Sequence, residues 1–121
     1  MKTIVVFSPT LVTKDMLVDF VRHLGGEWDF TPSLDQGYIQ RNGEIVFING
    51  DLGLDTYYTP EQLERVQAYL GNQPKVSIDI ELTHFQGEYS KRFGEDVANA
   101  IKNKWGGCTI EEIVEDDRQL A

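Results

Sequence analysis

Asp79 and Glu81 stand two positions apart in the run Val76-Ser-Ile-Asp-Ile-Glu-Leu82. Strand side chains alternate between faces, so the apolar residues at 76, 78, 80 and 82 leave one face and both carboxylates leave the other. Glu27 and Asp29 repeat the arrangement around Trp28. If the two strands lie close together, four carboxylates share one surface. Such a surface can hold a divalent cation, divide into general acid and base, or receive lysines and arginines of another protein. Asp51 and Asp55 add two more acids in Asn49-Gly-Asp-Leu-Gly-Leu-Asp55. Oxygen ligands at alternate positions resemble part of a calcium loop. The glycine is displaced by one position, however, and Pro60 occupies the place of the bidentate glutamate, so the segment reads as a turn.

Nothing else completes a reaction centre. His23 falls near the end of a helical pattern, where the helix dipole favours a cation, and His84 follows the acidic strand. Neither histidine has a matched partner at a meaningful spacing. Ser8, Ser77 and Ser90 lack the glycine-flanked pattern of a strained nucleophile turn. Cys108 is the one cysteine, which excludes an internal disulfide and a cysteine-based zinc site, and its setting before Thr109-Ile110 suits a small buried hydrophobe. Gly25-Gly26 and Gly106-Gly107 follow helical patterns, whereas phosphate-cradling glycines precede them. The expectation is therefore no catalytic residue, no metal and no cofactor. Recognition is assigned to Asp79, Glu81, Glu27, Asp29, Asp51 and Asp55.

Charge narrows the partner. Twenty Asp and Glu against eleven Lys and Arg give a formal charge of -9. A surface of that sign repels phosphates, so a nucleic-acid partner is not expected, while a basic protein would be steered towards it. No segment is long enough to span a bilayer, and the apolar N-terminal run is cut short by Pro9, so a cytoplasmic protein is expected.

The elements that position these residues are legible from pattern. At 121 residues, with 40% hydrophobic residues, the chain suits one globular domain. Ile4-Val5-Val6-Phe7 is apolar on both faces, as in a central strand covered on both sides. Thr13 caps a helix whose face is Met16, Leu17, Phe20, Val21 and Leu24, stopped by Gly25-Gly26. Asn42-Gly43 between two alternating runs marks a two-residue hairpin. Residues 49–58 read as a loop. Thr59, Pro60 and Gln62 form a capping box at the start of a second helix, with Leu63, Val66 and Leu70 on its buried stripe. A third helix carries Tyr89, Phe93, Val97, Ala100, Ile101 and Trp105 on one face, with Gly94 in its middle at a cost of about 1 kcal/mol relative to alanine. Residues 115–121 form a polar tail expected to fray. Lys2 to Phe30 and Lys75 to Ile113 share one plan of strand, helix, Gly-Gly and strand. The prediction is an α+β domain with about six strands, mostly antiparallel, and three helices.

The stretch from Ser77 to Asp116 also carries a resemblance. Ile78-Asp-Ile-Glu-Leu-Thr-His84, a short polar loop, a helix ending Lys104-Trp-Gly-Gly107 and an acidic strand resemble small bacterial immunity proteins of contact-dependent or polymorphic toxin systems. The likeness covers the last third of the chain. It implies a non-enzymatic protein that binds and blocks a cognate toxin domain in the cytoplasm. Many such toxins are basic nucleases, and an acidic inhibitor suits them. Two other readings fit the carboxylates: a phage-encoded acidic mimic of nucleic acid, and a small metal-dependent hydrolase.

Overall fold

The computed structural model describes residues 2–82 and 87–113. In chain order the elements are β1 (Lys2–Ser8), α1 (Lys14–His23), β2 (Glu27–Asp29), β3 (Gln36–Arg41), β4 (Glu44–Asp51), α2 (Leu54–Tyr57), α3 (Pro60–Leu70), β5 (Val76–Leu82), α4 (Gly87–Trp105) and β6 (Cys108–Ile113). The strands form one sheet in the order β2-β3-β4-β5-β1-β6, and each neighbouring pair is antiparallel. This is an α+β domain.

The local signals act where the sequence places them. Thr13 Oγ1 accepts the N–H of Met16 and opens α1. Thr59 and Gln62 exchange both bonds of the capping box, and Gly71 closes α3 in the left-handed conformation at φ 78°. Asn42 and Gly43 take φ 50° and 81°, so both central residues of the hairpin are left-handed, as a twist-matched two-residue turn demands. The turn sets Arg41 opposite Glu44 and fixes every pair behind it.

β1 is the spine of the core. Ile4 and Val6 face α1 and α4, while Val5 and Phe7 face α2 and α3. All four are buried, as a strand apolar on both faces requires. The larger cluster joins Leu17, Val21, Ile48, Ile78, Ile80 and Ile101. Each such side chain contributes about 1.5–3 kcal/mol by leaving water. The smaller cluster sets Leu54, Tyr58 and Val66 over Val5 and Phe7, with the Phe7 and Tyr58 rings edge to face at 5.2 Å.

Three details depart from expectation. Met16 is exposed, and Val18 is buried in its place. Residues 16 and 18 lie about 100° to either side of Leu17, and the fold covers the side that carries Val18. β4 runs on to Asp51, and residues 54–57 form a one-turn helix where a loop was expected. Pairing of Asn49, Gly50 and Asp51 with β5 satisfies backbone groups that a loop would have left to water. The expected fraying of 115–121 and the position of His84 lie outside the described residues. Gly94 does have a close neighbour: a Cβ there would stand 2.7 Å from Leu82 Cδ2 and 3.0 Å from Ile4 Cδ1.

Candidate functional site

The antiparallel register decides what the carboxylates can do. In one row across the sheet, Asp29 lies opposite Gln36, Gln36 follows to Asn49, and Asn49 lies opposite Asp79. In the next, Glu27 lies opposite Tyr38, Tyr38 opposite Phe47, and Phe47 opposite Glu81. All eight side chains therefore belong to one face. The strands are not adjacent, however: β3 and β4 separate β2 from β5. At about 4.8 Å per strand the two acidic pairs stand roughly 14 Å apart.

The condition for a four-carboxylate cluster, that the two strands lie close together, is not met: the carboxylates form two separate pairs. Ligands must reach one cation within about 2.6 Å, so the pairs cannot share an ion. Among the described residues no three His, Cys, Asp or Glu side chains stand close enough to hold a metal. Between the pairs lie an amide bridge, Asn49 Nδ2–H donating to Gln36 Oε1 at 3.4 Å, and the half-buried rings of Tyr38 and Phe47. The described strand residues of this face, from β2 to β5, carry no lysine or arginine.

Cover on this face is uneven. α2 and α3 pack over Val5 and Phe7, at the β1 side of the sheet. Asp79, cross-strand neighbour of Val5, is consequently only 7% exposed and does not stand on a wet surface as its alternation suggested. Glu81 is half-buried, Asp29 and Asp51 are partly exposed and Glu27 is exposed. Alternation gives the face of a strand residue; the helix laid over that face decides its contact with water.

Asp51 and Asp55 fall outside the two pairs. Asp51 Oδ1 accepts the N–H of Gly53 at 2.7 Å and stabilises the turn into α2; of the segment read as a turn, only residues 52 and 53 lie between β4 and α2. Asp55 is in α2, and its side chain lies outside the described residues. Asp29 serves a turn as well, accepting the N–H of Thr31 at 2.8 Å. Bonds from the Thr31 side chain and backbone hold its carboxyl below the usual value of 3.8.

No family model, curated protein or solved structure matches this chain.

Sequence reasoning passed over Tyr38 and Phe47, although the signal was present. Counting outward from Asn42-Gly43 places them opposite each other. It also passed over Asp35, which has φ 42° and accepts both the Trp28 indole N–H at 3.0 Å and Lys14 Nζ at 2.6 Å. Those bonds, Lys14 first, hold the Asp35 carboxyl below its ordinary value. No helix among the described residues is long and apolar enough to cross a membrane.

Proposed function

We propose that the chain is a non-enzymatic immunity protein that binds and neutralises a basic toxin domain in the cytoplasm. The observation that carries this reading is the pairing register. It leaves two half-buried rings between two acidic pairs on a sheet face whose α2–α3 cover packs on Val5 and Phe7. Aromatic anchors ringed by charge are what a protein partner uses, since rings supply buried area at low entropic cost and the carboxylates steer a basic surface. The net charge of -9 extends that steering beyond the contact.

Glu27, Asp29 and Glu81 supply the charge of the contact in this reading, while Asp79 is buried beside Val5 and takes no part. The test is co-expression with the product of the adjacent gene, followed by pull-down and a growth assay. Glu27→Lys combined with Glu81→Lys should weaken capture and flatten its salt dependence, because surface steering is screened by salt. Capture and protection equal to the unaltered protein would remove this face from consideration.

A further inference from the structure

A cleft of about 140 Å³ opens where α1 begins, beside the turn before β3 and the end of β4. Its floor is apolar, formed by the buried side chains of Val12, Leu17, Trp28 and Val76. Its mouth is polar, set by Lys14, Asp35 and Asp51. Four of the six large apolar side chains that the described residues leave exposed belong to the chain segments that build it. Leu52, 59% exposed, lines the cleft itself. Leu11 and Leu34, each 53% exposed, adjoin the lining residues Val12 and Asp35. Phe30, 54% exposed, lies with Lys14 Nζ 5.4 Å from its ring centroid and the Trp28 ring 6.5 Å away. Single exposed leucines are ordinary, but Leu52 and Phe30 beside one apolar hollow, with Leu11 and Leu34 on the segments that frame it, offer apolar surface of the kind that marks a binding site.

We infer that this cleft receives one aliphatic or aromatic side chain from a basic segment of the partner protein. This rests on the reading that the chain binds a basic protein. Volume fixes the size of the anchor: cavities of about 150 Å³ admit a benzene-sized group. Charge fixes its flanks. Asp35 and Asp51 at the mouth, with Asp29 beside Asp35, outnumber the two cations of the patch, Lys14 and Arg22, the latter with its guanidinium carbon 5.9 Å from the Phe30 ring centroid. Asp51 lines the cleft and, lying opposite Ser77, also shares the face of Asp79 and Glu81, so cleft and face meet at this residue and one partner can span both.

The probe is the peptide acetyl-KKLKK-amide, titrated into the labelled protein and followed by the Trp28 indole and Leu52 backbone resonances. The same peptide with a central alanine, and acetyl-EELEE-amide, are the comparisons. The leucine peptide should bind about tenfold more tightly than the alanine peptide, the loss expected when most of a buried leucine is removed. The glutamate peptide should leave both resonances unmoved. Leu34→Ser with Leu52→Ser, both at exposed positions, should remove the leucine preference while leaving the thermal midpoint unchanged. Equal response to leucine and alanine, or a leucine preference that survives the double variant, would overturn the cleft. Lysine peptides that move Glu27 and Glu81 without leucine preference would leave the acidic face standing. A leucine preference at the cleft with Glu27 and Glu81 unmoved would keep the cleft and count against the face.

Discussion

The indole N–H of Trp28 donates to Oδ1 of Asp35 at 3.0 Å, and the same oxygen accepts Lys14 Nζ. Three elements are tied at that one atom: β2, the turn before β3 and the first residue of α1. Asp35 takes φ 42° to reach this position, a conformation that aspartate and asparagine tolerate better than other side chains. Thermal midpoints should therefore fall in the order wild type, Asp35→Asn, Asp35→Ala. Asparagine keeps an acceptor and the backbone preference but not the charge, and alanine keeps none of them. An alanine variant as stable as wild type would show that Asp35 ties nothing, and equal losses in the two variants would place the tie in the carboxylate charge alone.

Acid should weaken the same corner. Asp35 and Asp29 both titrate below the ordinary carboxylate value of 3.8. The folded protein binds these protons less readily than the unfolded chain. Their stabilisation is complete above the unfolded value and is lost as pH falls through the lower folded values. Urea midpoints measured from pH 6 to pH 2 should drop most below about pH 4. Asp29→Asn with Asp35→Asn should flatten that drop, and an unchanged profile would count against both bonds.

Gly94 should resist the usual improvement. Glycine to alanine inside a helix ordinarily gains about 1 kcal/mol. Here the added methyl meets Leu82 Cδ2 at 2.7 Å and Ile4 Cδ1 at 3.0 Å, both in the larger core cluster. Overpacking of that kind costs about 1–3 kcal/mol, so Gly94→Ala should be neutral or destabilising in urea unfolding. A full gain would show that α4 rides further from the sheet.

Asp79 and Glu27 should part company when each is changed to lysine. Asp79 is buried beside Val5, so a lysine there places an ammonium under α2 and α3, at a cost on the order of 3 kcal/mol. Glu27 is exposed, and its reversal should move stability by less than about 0.5 kcal/mol. Chemical denaturation of the two variants checks this. The contrast also separates binding effects from folding effects when capture is measured.

Arg41 should prove a clamp between the hairpin and α4. Its guanidinium lies 4.3 Å from the Phe93 ring centroid and 3.0 Å from Asp96 Oδ2. Arg41→Ala should cost about 1 kcal/mol, the sum expected of one stacked cation and one exposed pair. Asp96→Asn should cost less, because it leaves the stack. Equal losses would place the energy in the ion pair alone.

The sequence by itself determined the α+β class, both capped helix starts, the Asn42-Gly43 hairpin and the double-faced central strand. Each depends on neighbours within a few residues: a cap needs its third residue, a turn its two left-handed centres, a strand its alternation. It also determined that Glu27 shares a face with Asp29, and Asp79 with Glu81, because side chains alternate along a strand; that both pairs share one face was settled by the register between strands, where a slip of one residue would have parted them. Strand order was beyond it, since insertion of β3 and β4 between β2 and β5 depends on contacts between residues far apart in the chain. That order parted the carboxylates into two pairs and put two rings between them. Burial was equally a tertiary decision. Asp79 and Glu81 look alike in sequence, but Asp79 lies beside Val5 beneath the α2–α3 cover, and Glu81 lies one row further out.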